Sequence, residues 1–308
     1  MRAGSPLSAA ALALALAPLL AGGAPPRSDQ PVVVIVTTSA VEAFDEATEG
    51  MRRGLVPAAK AVIVDLAANP ANLTNQLGGK EVRLLVSVGN NALEAAARYG
   101  TAPILATMVL EADLKASRLR ASAGGVVLDL SLGEVTAGLA KVFPGKTRAG
   151  MIHNSAVSSA SEAELVSEAK AAGISLRVVD CPRPDRLLQA LRSLQGLVDF
   201  VWCPPDGTLY NGTTVKPLIL ASLESQLPVA GFSASFVRAG AAAGVYPDYL
   251  EIGAQAGDLA RKYLSGNSAM GIEAPRRIRV AANTRVARLL GLRLAQKGGP
   301  ESGIVVLE

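Results

Sequence analysis

From residue 32 onward, short unbroken apolar runs alternate with segments whose apolar residues recur at helical spacing. Apolar runs that do not alternate with polar residues predict strands buried on both faces, as in a parallel sheet between two layers of helices. Four such runs come first, at 32–36, 61–64, 83–88 and 103–109. Helices are predicted between them, at 41–55, about 69–77 and 91–99. This order of strands and helices indicates βαβ repeats.

A fifth run at 124–130 is predicted to be a crossing point, after which a second set of the same kind begins. Its strands are predicted at 148–153, 174–179, 198–202, 228–232, 242–246 and 277–281. Its helices are predicted at about 133–142, 158–172, 184–195, 213–225 and 248–264, with a short helix between the strands at 228–232 and 242–246. Asn283 is predicted to be the N-cap of a last helix to Leu290. Two such sets predict an α/β protein with two doubly wound parallel-sheet lobes and a ligand cleft between them.

The predicted domain division follows these two sets. The first lobe comprises residues 31–128 and about 249–274. The second lobe comprises residues 129–248 and about 275–295, and residues 296–308 are predicted to form a C-terminal tail.

The N-terminal 24 residues are predicted to be a signal peptide. Arg2 precedes an apolar run from Leu7 to about Ala21, and small residues lead to a cleavage site near Ala24. An anchor that is not cleaved is the alternative interpretation. No later segment reaches the length of a transmembrane helix. We therefore expect a protein that is periplasmic or otherwise secreted.

Composition and charge narrow the possible functions. The net charge is +4 and the predicted pI about 9.2, but the basic residues are scattered, so no nucleic-acid partner is expected. The two cysteines, Cys181 and Cys203, follow strands that would flank a central strand, about 10 Å apart. A disulfide needs Cα atoms within about 7 Å, so two free thiols are favoured and a disulfide is the alternative.

The residues needed for common catalytic chemistry are scarce. The chain has one histidine, His153, which leaves little material for a metal cluster or a His-based nucleophile. The patterns GxSxG, GxxxxGK[ST] and a GxGxxG after the first strand are all missing from the sequence. We therefore expect a protein that is not an enzyme and uses neither a metal nor a cofactor.

Polar residues in the first lobe gather where predicted strands end. Ser-Val-Gly-Asn-Asn at 87–91 closes the third strand and opens a helix, whose free N–H groups favour a carboxylate or another anion. Ser87 and Asn90 would add side-chain donors beside Gly89. A plain turn with an Asn cap is the alternative. Ser39 and Thr107 follow or end other strands and would face the same cleft.

The second lobe offers a carboxylate and several aromatic rings. Asp206, in Pro-Pro-Asp-Gly-Thr at 204–208, is a partner for a ligand cation, although it could instead cap the next segment or shape a turn. Three aromatic residues could clamp an apolar part of the ligand, with core packing as the alternative for Phe232. The predicted ligand-binding residues are Ser39, Ser87, Gly89, Asn90, Thr107, Asn154, Ser155, Asp206, Thr208, Phe232, Tyr246 and Tyr249.

These residues carry a resemblance to a known family. Over residues 31–295 the chain resembles bacterial ABC-transporter substrate-binding proteins, relatives of those that bind aromatic amino acids. The resemblance rests on the strand at 198–202 with its Asp-containing loop, and on a Gly-x-x-Ala-Gly helix followed by an Asn-x-x-x-Ala-x-x-Leu-Gly tail. In this sequence the helix and tail positions are Gly253, Ala256, Gly257, Asn283, Ala287, Leu290 and Gly291.

The resemblance implies a periplasmic binding protein type I fold and several roles for residues. It implies that Asp206 lies in the ligand loop, that Asn154 and Ser155 open the second lobe, and that Tyr246 and Tyr249 match the region of a late Asp-Tyr pair. The chain departs from the family pattern in three places. Asn-Asn at 90–91 replaces Thr-Pro, the segment 108–112 lacks an Asp-Pro, and Ala-Ser at 234–235 replaces an acidic residue.

The predicted function is that of an extracytoplasmic solute-binding component of an ABC importer. Its ligand would be a small polar molecule, such as an amino acid, and its partner an ABC permease with its ATPase, as the resemblance implies. The protein would act as a monomer and meet the membrane only through the permease. The alternatives are a ligand-sensing module, an envelope scaffold of the same fold that binds no ligand, and an enzyme.

Overall fold

The computed structural model describes residues 32–38, 41–56, 58–67, 73–77, 82–100, 102–117, 119, 123–158, 160–266, 269–292 and 304–307. The predicted signal peptide therefore lies outside the described residues. No helix among the described residues is long and apolar enough to cross a membrane.

The described strands are β1 (Val32–Thr37), β2 (Lys60–Asp65), β3 (Val82–Val88), β4 (Ile104–Thr107), β5 (Ala123–Val126), β6 (Arg148–His153), β7 (Ser175–Asp180), β8 (Phe200–Trp202), β9 (Val229–Gly231), β10 (Ala243–Pro247), β11 (Ile272–Glu273), β12 (Ile278–Asn283) and β13 (Ile304–Leu307). The described helices are α1 (Glu42–Leu55), α2 (Leu73–Leu77), α3 (Asn90–Tyr99), α4 (Glu111–Ala116), α5 (Leu132–Val142), α6 (Glu162–Ala171), α7 (Leu187–Leu194), α8 (Val215–Glu224), α9 (Ala234–Arg238), α10 (Tyr249–Leu264) and α11 (Thr284–Leu289). A short 3-10 helix at Pro184–Arg186 precedes α7.

The first sheet has six parallel strands in the order β11-β5-β4-β3-β1-β2. Strand β1, which lies between β3 and the edge strand β2, is buried along both faces: Val33, Val34, Ile35 and Val36 are all fully inaccessible to solvent. Two clusters of buried apolar side chains cover the two faces of this sheet. The apolar run of this strand is therefore unbroken because both of its faces are buried, as predicted.

The second sheet has seven strands in the order β13-β12-β10-β9-β8-β6-β7. Its pairs are parallel except for β10 and β12, which run antiparallel. The two sheets, each dominated by parallel strands between helices, confirm the predicted α/β fold class. The antiparallel pair is a departure from that prediction: β12 starts at Ile278 beside the end of β10 at Pro247, and so runs back along it.

The chain crosses between the two sheets three times. It leaves the first sheet after β5, returns after β10 through α10, and crosses again from β11 to β12. The segment at 124–130, predicted as a crossing point, contains the end of β5 followed by residues without regular structure. The exact lobe boundaries stay a prediction.

Helix α10 returns the chain to the first sheet and packs closely on α1. The approach is close because both helices present glycines: a Cβ on Gly253 would lie 2.0 Å from the carbonyl oxygen of Ala47. Met51 and Ile252 are buried beside this contact. Asp248 caps α10 by accepting a hydrogen bond from the backbone N–H of Glu251 at 3.3 Å.

Most predicted elements are confirmed within a few residues, and three elements were missed. The missed elements are α4, β11 and β13, the last of which lies inside the segment predicted to be a C-terminal tail. Asn283 caps the last helix as predicted, accepting a hydrogen bond from the N–H of Val286 at 3.0 Å.

Candidate functional site

A cleft of about 540 Å³ lies where the strands of the two sheets end. On the first-lobe side, residues after β3, β4 and β5 line it together with the start of α1. On the second-lobe side, residues after β8, β9 and β10 line it. This is the position at which open α/β sheets bind ligands, and the volume lies within the range of small-molecule sites.

The turn between β3 and α3 shapes the first-lobe wall. Gly89 has φ +86°, and a Cβ at this position would lie 2.6 Å from the Phe44 ring. Glycine therefore allows the aromatic ring to pack against the strand end, where Phe44 lines the cleft. The next residue, Asn90, also lines the cleft and donates from Nδ2 to Asp113 Oδ2 at 2.9 Å.

Two further features of this wall come from the ends of β4 and β5. Met108, just after β4, has φ +59°, a left-handed conformation that non-glycine residues rarely adopt. Asp129, after β5, accepts a hydrogen bond from the backbone N–H of Glu111 at 2.7 Å. Burial raises the pKa of the Asp129 carboxyl, and this outweighs the opposing effect of that hydrogen bond.

The loop after β8 places a carboxylate in the second-lobe wall. Asp206 Oδ1 accepts hydrogen bonds from the N–H and Oγ1 of Thr208, at 2.7 and 2.6 Å, and from the N–H of Leu209 at 3.3 Å. Asp206 is only 9% exposed, and its other oxygen, Oδ2, has no hydrogen-bond partner among the described residues. A buried carboxylate oxygen without a donor is costly, so this position is suited to a donor group that the described residues do not supply.

Aromatic side chains form much of the apolar surface of the cleft, although aromatic residues make up only 4% of the sequence. Five aromatic residues of the described segments line it: Phe44, Trp202, Tyr210, Phe232 and Tyr249. Tyr210 is fixed by donating to the carbonyl oxygen of Ile152 at 2.6 Å, and its ring centroid lies 6.2 Å from that of Phe232. The indole N–H of Trp202 is buried and has no partner among the described residues.

The charges of the cleft are of one sign. Among the described residues that line it, Asp113, Asp129 and Asp206 are acidic, and none is Lys, Arg or His. None of the three carboxylates takes part in a salt bridge with another described residue. Within the part of the chain that the structure describes, no group of three or more His, Cys, Asp or Glu could hold a metal ion.

The structure brings four of the predicted ligand-binding residues together in this cleft: Asn90, Asp206, Phe232 and Tyr249. Tyr246 stacks on Tyr249, with ring centroids 5.6 Å apart, but lines a smaller neighbouring cavity of about 230 Å³. Ser39 lies outside the described residues.

The other predicted residues support the cleft or lie apart from its lining. Ser87 and Thr107 are fully buried, with hydroxyl groups that have no partner among the described residues. Asn154 donates to Thr208 Oγ1 at 3.2 Å and so supports the Asp206 loop, whereas the N–H of Ser155 donates to Asp180 at 2.9 Å on the exposed surface. Their roles in binding stay predictions.

The remaining candidates for reactive chemistry are buried. Cys181 and Cys203 are both free, and they follow β7 and β8, which flank β6 as predicted. Burial raises the pKa of the Cys203 thiol to about 12 and also raises that of Cys181. A thiol with a raised pKa is a poor nucleophile because the thiolate is the reactive form. His153 is buried and is not among the described lining residues.

Sequence reasoning missed several residues that line the cleft, including Phe44, Trp202, Tyr210, Asp113 and Asp129. Trp202 could have been recognised, because the only tryptophan of the chain directly precedes the Asp206 loop. Asp129 also gave a signal, as a carboxylate at the end of an apolar run. Phe44 gave none, since it lies on a helix and reaches the cleft only because Gly89 allows its ring to pack there.

Solved structures share this architecture. A substrate binding protein with adhesive properties from Clostridium difficile, in its ligand-free, open form, is 18% identical with a TM-score of 0.68, covering 90% of this chain and 99% of that one. The ABC domain from Streptococcus pneumonia in complex with L-Trp is 16% identical with a TM-score of 0.60, covering 89% and 100%. A conserved domain protein from Vibrio cholerae is 22% identical with a TM-score of 0.60, covering 86% and 96%. Because the identities are this low, the similarity to these structures establishes the fold alone.

Two parallel-dominated sheets with a cleft at their strand ends define the periplasmic binding protein type I architecture. The sequence profile of the family described as ABC transporter substrate binding protein matches residues 32–294. The chain therefore belongs to this family, which confirms the resemblance seen in the sequence. No curated protein matches the chain significantly.

Proposed function

We propose that this protein binds one small solute in the cleft and delivers it to an ABC permease with its ATPase. The observation that carries the proposal is the cleft itself, about 540 Å³ at the strand ends of both sheets, with a buried carboxylate whose Oδ2 has no donor in the part of the chain that the structure describes. A solute that contacts both walls favours a closed arrangement of the lobes, because it interacts with both walls only in that state.

The same proposal includes an extracytoplasmic location and a function without catalysis. The predicted signal peptide and the family both support the location. The buried cysteines, and a histidine that is not among the described lining residues, support binding rather than turnover. Release of unchanged solute after binding, checked by mass spectrometry, is the expected result, and a chemically altered solute would contradict it.

A thermal-shift screen of the purified full chain tests the binding function. The panel contains amino acids, amines, nucleosides, sugars and small carboxylates. A solute present at one hundred times its dissociation constant should add about 2.7 kcal/mol to the free energy of unfolding, which corresponds to a rise of several degrees. A rise with one class of solute supports the proposal, and no rise with any member of the panel would contradict it.

A matched pair of variants assigns the binding to the cleft. Asp206→Asn keeps an acceptor oxygen for Thr208 and Leu209 but replaces the charge. Asp185→Asn removes the same charge from an exposed residue that pairs with Arg183. The solute-induced rise should shrink in Asp206→Asn and persist in Asp185→Asn. Equal rises in the two variants would show that the solute binds elsewhere.

A further inference from the structure

The charges of the cleft differ from those of the chain as a whole. The sequence contains 30 Lys and Arg against 26 Asp and Glu, yet the described cleft lining contains three carboxylates and no basic side chain. The acidic character is therefore a property of the cleft and not of the composition. A ligand carboxylate would meet like charges there, whereas a ligand cation would meet three opposite charges.

The unpaired oxygen of Asp206 shows what kind of cation fits. Asp206 Oδ1 accepts hydrogen bonds from three donors, while Oδ2 is buried and has no donor among the described residues. Satisfying Oδ2 requires an N–H or O–H donor, which a protonated amine has and a quaternary ammonium lacks. A charge-assisted hydrogen bond of this kind is stronger than a neutral one.

The first-lobe wall has one feature that would attract an anion, the start of α3, and a neighbouring carboxylate of the protein offsets this attraction. The start of α3 carries the positive end of a helix dipole, which would attract a carboxylate. However, Asn90 at this helix start donates to Asp113, so a negative charge of the protein already lies beside it. The indole N–H of Trp202, which has no acceptor in the described part of the chain, is neutral and can be satisfied by a hydroxyl or carbonyl oxygen as well as by a carboxylate.

Aromatic rings form the apolar part of the cleft lining. Rings such as those of Phe44, Trp202 and Phe232 stack with apolar groups, and their faces also attract cations. We propose that the cleft selects an aromatic or similarly apolar amine that has a protonated N–H-bearing nitrogen and no carboxylate. This inference rests on the proposed binding function and specifies its solute class.

Calorimetric titration of the purified full chain with three matched probes tests whether the cleft prefers an amine. The probes are phenethylamine, phenylalanine and 3-phenylpropionate. The amine should bind at least about 10-fold more tightly than the amino acid, because the α-carboxylate of phenylalanine would meet the three carboxylates of the cleft. 3-Phenylpropionate should bind most weakly, because it keeps the carboxylate and lacks the charged hydrogen-bond donor. The hydroxyphenyl and indolyl equivalents of the three probes are titrated in the same way. An N-trimethylated phenethylammonium should bind more weakly than phenethylamine.

Variants separate the contribution of the carboxylate from that of the net charge. Asp206→Asn should weaken binding of the amine by about 10-fold or more and leave 3-phenylpropionate unchanged or tighter. Asp185→Asn should leave all affinities unchanged. If Asp206→Asn does not fold, as judged by its circular dichroism spectrum, Asp113→Asn should show the same direction of change.

The outcomes distinguish this inference from the proposed function. An amino acid that binds as tightly as its amine, or more tightly, would overturn the amine assignment and leave solute binding intact. The same conclusion follows if no amine binds while another class in the thermal-shift panel does. If no solute of any class binds, both the inference and the proposed function are overturned.

Discussion

The close contact between α1 and α10 makes Gly253→Ala a sharp test of the fold. A Cβ on Gly253 would lie 2.0 Å from the carbonyl oxygen of Ala47 and 2.8 Å from the backbone nitrogen of Met51, whereas ordinary contacts begin at 3.4 Å. A backbone oxygen cannot move aside as a side chain can, so the two helices would have to separate by more than an ångström.

Two effects of this substitution oppose each other. Alanine is favoured over glycine inside a helix by up to about 1 kcal/mol. Overpacking of a well-packed core costs about 1–3 kcal/mol, and separation of the helices would also weaken the burial of Met51 and Ile252. We expect the free energy of unfolding to fall by about 2 kcal/mol, which lowers the thermal midpoint by roughly 5 °C for a chain of this size.

The control is Gly133→Ala in α5, where the Cβ would meet only Ser131 Oγ, at 3.9 Å. Helix propensity then acts alone, so Gly133→Ala should leave the midpoint unchanged or raise it. Thermal unfolding of both variants and the wild type is followed by circular dichroism without solute. A midpoint of Gly253→Ala at or above that of the wild type would refute the close helix approach.

Three further predictions concern stability. Asp129→Asn should leave the free energy of unfolding at pH 7 unchanged or raise it by up to about 1 kcal/mol. Burial raises the pKa of Asp129, so ionisation of this carboxyl lowers the stability of the wild type as the pH rises through the raised pKa. The difference should vanish near pH 3 in urea titrations, and a constant difference would contradict the reasoning. Asp199→Asn should lower the free energy of unfolding at pH 7 by about 1 kcal/mol, because Arg148 lowers the pKa of Asp199. This loss should shrink as the pH falls through the lowered pKa. A loss that is unchanged at pH 2 would contradict the role of this ion pair. Ser131→Ala should cost about 1 kcal/mol in the same titrations because it removes the capping box with Glu134, and no loss would argue against that cap.

Much of the fold could be predicted because its strands are buried on both faces and are therefore apolar throughout. The two-residue strand β11 is too short to give such a run. The run in β13, Ile-Val-Val-Leu, was present but lay beyond the segment that resembles the family. The antiparallel pairing of β12 could not be predicted, since an apolar run carries no information about strand direction.

The cleft was predicted less completely than the fold, and the reasons differ from residue to residue. The rule that ligands bind at strand ends found Asn90, Asp206 and Phe232, because each lies within four residues of the end of a strand. The structure does not bring Ser87 into the described lining of the cleft, because it lies inside β3 and is fully buried, and its role in binding stays a prediction. The rule gives the position of a residue along a strand, but not the packing above it.

The most direct test of solute binding in the cleft uses the only tryptophan of the chain, Trp202, which lines it. Its fluorescence is titrated with the solute that raises the thermal midpoint, using a solute without an indole ring. The structure predicts a saturable change in Trp202 emission, with a dissociation constant that matches calorimetry and is weakened in Asp206→Asn. A solute that raises the midpoint but leaves Trp202 emission unchanged at saturation would place binding outside the cleft and contradict the central claim.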